Sequence, residues 1–220
     1  MNQPLVPLYF FCSVLILPWA GPAAAGLLFD NLIESGDYYT AVTNDAWAAQ
    51  GFATSSDDSL VTAMAVALYT ENGASGQFAV QVWDALGTSG RPGTPVASLF
   101  TGDAAVLGSG PFSLSGLSVA LVPSTDYYLV IKGISLDLSS DVRWGYADDT
   151  GGIGPPSAFS QTTDSGATWS PPSQEQPQKM RIEATAIPEP SGLALVALGL
   201  AGLASRNGRI ARWRYRHPAP

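Results

Sequence analysis

Two kinds of side chain in this 220-residue sequence could act on something outside their own core: paired carboxylates and large aromatic rings. Asp57-Asp58, Asp137 with Asp141, and Asp148-Asp149 ahead of Gly151-Gly152 offer oxygen ligands of the sort Ca²⁺ takes. None follows a recognised ligand spacing such as D-x-[DN]-x-[DN]-G, so they read as solvated acidic turns and no metal is assigned. A glycoside hydrolase needs two carboxyl groups roughly 5 to 9.5 Å apart across the scissile bond. In a chain this acidic some pair meets that distance by accident, and Glu34, Glu71, Glu175 and Glu183 fall in turn or surface-strand contexts. Carboxylate-pair hydrolysis is the least favoured reading, and no catalytic residue is assigned.

The rings are Trp47, Trp83, Trp144 and Trp169, with Tyr38, Tyr39, Tyr127 and Tyr128. Outside cells, exposed tryptophan and tyrosine commonly stack on sugar faces, but burial in a core is the more frequent use of such large rings. Trp83 alternates away from Val80 and Val82, and Trp169 sits in a Ser/Gly/Pro-rich stretch. These two are expected to be exposed and are the candidate glycan contacts.

Other chemistry is excluded by what the sequence lacks. Its one cysteine, Cys12, and its one histidine, His217, lie near the two ends. Residues 26–187 therefore offer no disulfide, thiol nucleophile, histidine base or ordinary zinc site. The same span holds seventeen Asp or Glu against Arg91, Lys132, Arg143, Lys179 and Arg181, a net charge of −12. Nucleic acid is not a partner for so negative a surface, because phosphate contacts need a basic one.

The elements that must position these side chains are strands. Gln77 to Asp84 alternates Phe78, Val80 and Val82 against Gln77 and Gln81. Residues 126–132 are a β-branched and aromatic run ended by Gly133. Residues 179–185 alternate Met180, Ile182 and Ala184 against Lys179, Arg181 and Glu183. Shorter strands are predicted over 27–32, 46–54, 112–114 and 142–146. Residues 60–69 contain good helix formers, yet Leu60, Thr62, Met64, Val66 and Leu68 alternate with smaller residues, which predicts a strand buried on both faces. Gly- and Pro-rich loops fall at 89–95, 148–156 and 170–177. Short strands with such turns predict an all-β, two-sheet, jelly-roll-like sandwich over residues 26–186.

The two ends read as addresses. Residues 1–25 have an apolar core broken by Pro18, Gly21 and Pro22, and Ala23-Ala24-Ala25 supplies the small-x-small pattern of signal peptidase. Cleavage is expected after Ala25, with Ala23 and Ala25 as the recognised small residues. Cys12 lacks small residues before it, which disfavours a lipoprotein. At the other end, residues 187–220 carry Pro188-Glu189-Pro190, then an apolar run over 193–204. A basic tail of Arg206, Arg209, Arg212, Arg214 and Arg216 follows. From 191 to 205 a helix would be roughly 22 Å long, against a hydrocarbon core of about 30 Å. The run has no polar face to lay on water, and the arginines favour a cytoplasmic C-terminus. The expected topology is ectodomain out, tail in.

This order of Pro-Glu-Pro, apolar segment and Arg-rich end resembles the PEP-CTERM sorting signal of Gram-negative bacteria. The resemblance implies recognition by an exosortase-type membrane transpeptidase, removal of the tail, and delivery to the cell surface or an exopolysaccharide matrix. A second resemblance runs over residues 27–186. It rests on Leu28-Phe29-Asp30-Asn31-Leu32, Trp47 to Thr54, Phe78 to Asp84, Gly90 to Pro95, Asp126-Tyr127-Tyr128-Leu129 and Trp144. This ordered set is similar to the choice-of-anchor R domain, an extracellular β module with no agreed activity. The reading favoured is an exported, transiently membrane-anchored, non-catalytic surface or matrix protein without a cofactor. A carbohydrate-binding module for exopolysaccharide is the alternative.

Overall fold

The computed structural model describes residues 26–33, 38–56, 59–70, 75–137, 141–147 and 158–187. All of them belong to one compact unit, Ala23–Ile187. The predicted signal peptide, the Pro-Glu-Pro motif with its apolar run and basic tail, Asp57-Asp58 and Asp148-Asp149 lie outside the described residues.

The described residues form twelve strands. They are β1 (Gly26–Asp30), β2 (Tyr38–Val42), β3 (Trp47–Ala53), β4 (Ser59–Val66), β5 (Leu68–Thr70) and β6 (Gln77–Asp84). They continue with β7 (Pro95–Asp103), β8 (Phe112–Leu121), β9 (Asp126–Gly133), β10 (Val142–Tyr146), β11 (Phe159–Thr162) and β12 (Met180–Ala186). The all-β expectation holds. The strands make a four-stranded sheet in the order β1-β12-β4-β8, a three-stranded sheet β2-β10-β5, and a five-stranded sheet β11-β3-β9-β6-β7. Every pairing is antiparallel.

The long apolar run corrects one expectation. Residues 59–66 are not buried on both faces; Val61, Met64 and Val66 are buried while Leu60, Thr62, Ala63 and Ala65 are only partly so. A register shift between Val61 and Ala63 moves the inward set by one position. A bulge of this kind is invisible to a strict period-2 reading. Opposite it on β8, Gly116 takes φ +69, a left-handed conformation that suits glycine.

At Ala67 the run passes from the four-stranded into the three-stranded sheet through a closed ring of backbone hydrogen bonds. Ala67 N–H donates to Lys179 O (3.1 Å), Lys179 N–H to Gly145 O (2.8 Å), and Gly145 N–H to Ala67 O (2.9 Å). Trp144 Nε1 adds a bond to the same Lys179 carbonyl (3.0 Å). Three strands from two sheets are thus tied at one point.

One apolar cluster draws on all three sheets. It includes Val61, Val66, Met180 and Ile182 of the four-stranded sheet, and Val42, Leu68, Val142 and Trp144 of the three-stranded one. Phe52, Phe78, Val80, Val82, Leu129 and Ile131 come from the five-stranded sheet. Phe112 of β8 stands edge-on to Phe78 of β6 at 5.7 Å and to Phe100 of β7 at 4.9 Å, which links two sheets through rings. Fully burying each such side chain contributes about 1.5–3 kcal/mol.

The strands also define two ends. Gly26 pairs with Ala184, and Ala186 with Ser59, which pairs in turn with Leu121. The short turn from β8 to β9 keeps this end beside Ala53 and Asp126. Thr54 Oγ1 donates to Val122 O (2.7 Å), and Ser124 N–H to Ser55 O (2.7 Å). The first strand therefore starts, and the last strand finishes, at the same end of the unit.

Candidate functional site

The tryptophans lie elsewhere than the sequence suggests. Trp83 does alternate away from Val80 and Val82, onto the outer face of the five-stranded sheet. That face is covered, however, and Trp83 and Trp169 are only 8% and 7% exposed. The expectation that these two rings are open to solvent is corrected. They pack with Ala49, Tyr128 and Val130 in a second, smaller core, with Trp47 against its side. Trp47 meets Trp83 edge-to-face at 6.4 Å, and Trp83 meets Trp169 likewise at 6.0 Å. Lys132 Nζ lies 5.2 Å over the Trp47 ring. Trp144 is fully buried in the main core.

The cover is a turn organised by one carboxylate. Asp164 accepts from the hydroxyls of Thr162 (2.5 Å) and Thr168 (2.6 Å) and from the Thr168 N–H (2.8 Å). Gly166, at φ +86, presses so closely on Trp47 that a Cβ there would stand 2.6 Å from the ring. The chain then returns beside β11, with Ser170 N–H donating to Gln161 O, and lays Trp169 on Trp83. The spacing Thr162-x-Asp164-x-Gly166-x-Thr168-Trp169 was the available signal for this turn.

Those hydroxyl bonds, Thr162 first and then Thr168, lower the Asp164 pKa to about 2. An ordinary aspartate titrates near 3.9. A group depressed in the folded state lends its stability fully above the ordinary pKa and loses it as pH falls through the folded one. Acidification from about pH 4 to 2 should therefore release Trp169 and red-shift tryptophan emission. Asp164→Asn should already show the red-shifted state at pH 7 and flatten that part of the titration. Superimposable curves for both proteins would refute the assignment.

The exposed aromatic surface is on the three-stranded sheet. Tyr38 and Tyr39 of β2 are 59% and 43% exposed. Tyr38 is paired with Tyr146 of β10, their rings 5.5 Å apart and 13° from parallel. On the other face the Arg143 guanidinium lies 4.0 Å over Tyr39, Tyr69 stands edge-on to Tyr39, and Arg143 Nε bonds Asp141 (3.2 Å). Tyr69 and Tyr146 were not picked out from sequence, although each ends a predicted strand, 60–69 and 142–146; what brings them to Tyr39 and Tyr38 is the pairing of β2, β5 and β10, which no local pattern reports. Tyr127 and Tyr128 are buried.

A cleft of about 470 Å³ opens at the end where β12 finishes, lined among others by Ala53, Leu86, Ser124, Asp126, Tyr128 and Gln174. Asp84 shapes its β6–β7 loop. Burial pushes this carboxyl up, but bonds from the Thr94 hydroxyl and the Thr94 and Leu86 N–H groups outweigh that and hold it below the ordinary range. Tyr128 donates to Gly90 O (2.8 Å); burial first, and the Asp126 charge second, raise its pKa.

Of the acidic pairs, Asp137 accepts from Ser75 and Asp141 from Arg143, so they are engaged with different partners. Among the described residues no three His, Cys, Asp or Glu side chains are grouped to hold a metal ion. Among them, too, no helix is long and apolar enough to cross a membrane.

Strand β12 ends at Ala186, and from there the chain carries a recognised signal. The PEP-CTERM protein-sorting motif matches residues 186–209. This span includes Pro188, Glu189, Pro190 and the first two tail arginines, Arg206 and Arg209. The motif implies recognition by an exosortase and export to a cell-surface or extracellular location. No curated protein matches the chain.

Proposed function

We propose that the protein is a non-catalytic surface or matrix protein of a Gram-negative cell. Signal peptidase removes residues 1–25, the apolar run over 193–204 holds the chain briefly in the membrane, and an exosortase then cuts near Pro188-Glu189-Pro190. The β unit is the cargo, related in character to the choice-of-anchor modules. In it the four- and three-stranded sheets act as one layer of a sandwich against the five-stranded sheet. The observation that carries the reading is the direct passage from β12 at Ala186 into the sorting motif. The intact mass of the protein taken from its native envelope tests it. Loss of residues 1–25 and of everything beyond about Pro188 is expected, and alanine at Pro188, Glu189 and Pro190 should leave the tail in place. A native protein with its C-terminus intact would refute processing.

A second reading is favoured by the tyrosines. The exposed Tyr38 ring, backed by Tyr146, and the Tyr39 ring beside Arg143 offer flat apolar faces of the kind that stack on sugars. On this reading the protein holds the cell's own exopolysaccharide through the three-stranded sheet. The contacts lie there, and not at the buried Trp83 and Trp169. No binding to a polysaccharide array, or binding unchanged in Tyr38→Ala and Tyr39→Ala, would remove it.

A further inference from the structure

Successive residues of a strand point to opposite faces of its sheet, and at the start of β2 the two that do so are both exposed tyrosines. Tyr38 shares the inward row of the three-stranded sheet with Thr40 and Val42. Along that row burial falls away, from fully buried Val42 through half-buried Thr40 to exposed Tyr38. The facing row of β10 behaves likewise. Val142 and Trp144 are fully buried, and Tyr146, directly across from Tyr38, is only partly so. The sheet therefore overhangs the core at this corner, and β2 is also its edge strand. A sheet packed on a core ordinarily shows water one face only. Here both faces are wet, and each carries its own aromatic group. Tyr146 backs the Tyr38 ring on the inward face. On the outward face Tyr39 meets the Arg143 guanidinium and the edge of Tyr69, with Asp141 bonded to Arg143 and its side chain 26% exposed.

We propose that this corner carries two sugar-stacking sites back to back, Tyr38 with Tyr146 on one face and Tyr39 with Arg143 and Asp141 on the other. Through them the protein bridges two chains of a neutral polysaccharide. The proposal rests on the reading of the tyrosines as glycan contacts. Each ring offers flat apolar surface to the C–H face of a pyranose. Asp141 is open enough to accept a hydrogen bond from a sugar hydroxyl, which makes the two sites unequal. The sheet itself lies between the rings. A stiff chain of pyranoses stacked flat on one face does not turn round the edge of β2 to reach the other, so two chains are held. Charge selects a neutral polymer. The unit carries −12, which repels a chain bearing carboxylates or sulfates. Arg143, the cation at this corner, already has Asp141 and Tyr39 as partners.

The probe is the soluble exopolysaccharide of the producing cell, parted by anion exchange into neutral and acidic fractions. The protein, purified like its variants from that cell's envelope, should be retarded in gels cast with the neutral fraction. In solution it should raise the light scattered by the same polymer about threefold or more, and excess protein should reverse the rise, because separate molecules then fill every site. Tyr38→Ala and Tyr39→Ala should each remain retarded, though less, and leave scattering at the level of the polymer alone. The double variant should run as if no polymer were present, with the tryptophan emission of the parent to show that it is folded. Retardation of the parent with no rise in scattering overturns the two-site proposal and leaves the glycan reading standing. So does a pair of variants in which one loses all retardation while the other bridges fully, the mark of a single site on self-associated copies. Retardation by the acidic fraction alone overturns the proposal through its choice of polymer. No retardation in either fraction removes the glycan reading and the proposal together.

Discussion

Replacing Trp144 with alanine is expected to cost about 3–5 kcal/mol of folding stability. The ring is fully buried and packs in the main cluster with Val42, Leu68 and Val142. Its neighbours lie on three hydrogen-bonded strands, so the site cannot collapse to fill the space the indole leaves. A domain of this size has only about 5–15 kcal/mol in hand, so the loss is a large share of the whole. The hydrogen bond is the smaller part of the effect. Lys179 O still accepts from Ala67 N–H when Trp144 Nε1 is gone, and is not orphaned. Trp144→Phe, which keeps most of the volume and loses only that bond, should therefore cost clearly less than Trp144→Ala. Guanidinium unfolding of residues 26–187 measures both, and a cost below about 1 kcal/mol for alanine would mean that the ring does not close the core.

Asn31→Ala should be nearly as damaging, by a different route. Asn31 follows β1 and is fully buried. Its Nδ2 donates to Gln178 O (3.1 Å) and its Oδ1 accepts from Met180 N–H (2.8 Å). One amide thus satisfies two backbone groups on a segment almost 150 residues later in the chain. Alanine leaves both groups buried without a side-chain partner, at about 1–3 kcal/mol for each. The expected loss is about 2–4 kcal/mol, since the two costs overlap. Strand β1 pairs only with β12, so it should fray first even though Asp30 still holds Arg181 at 2.7 Å. Faster hydrogen exchange at Met180 N–H is the specific readout. Unchanged exchange there, with stability lost elsewhere, would count against the mechanism.

The sequence made some strands legible and hid others, for reasons that can be named. In β6, β9, β10 and β12 the apolar residues alternate or form β-branched runs, and their positions follow the reading closely. Strand β8 reads clearly only as far as Leu114, because the bulge at Gly116 shifts the inward set to Leu117, Val119 and Leu121. Strands β2, β7 and β11 went unread. Strand β7 is an edge strand with no fully buried residue, and β2 and β11 are too short for a period to emerge. The site shows the same division. The direction in which Trp83 points is a local property and was legible. Its burial depends on a turn that begins almost eighty residues later, and no local pattern around Trp83 reports it. The sorting motif, which is read as a linear string, was legible in full.

The ring of bonds joining Ala67, Gly145 and Lys179 has a mechanical consequence. Strand β12 is flanked by β1 and β4, and its C-terminal end continues into the segment by which the protein is sorted. Tension entering at Ala186 and resisted at the three-stranded sheet runs along β12, parallel to its axis. The ladder bonds on both sides are then strained together in shear instead of opening one after another like a zipper. At the other end of the strand the bond ring passes the load into two sheets at once. The last strand is therefore built into the unit as a rivet set lengthwise to the pull.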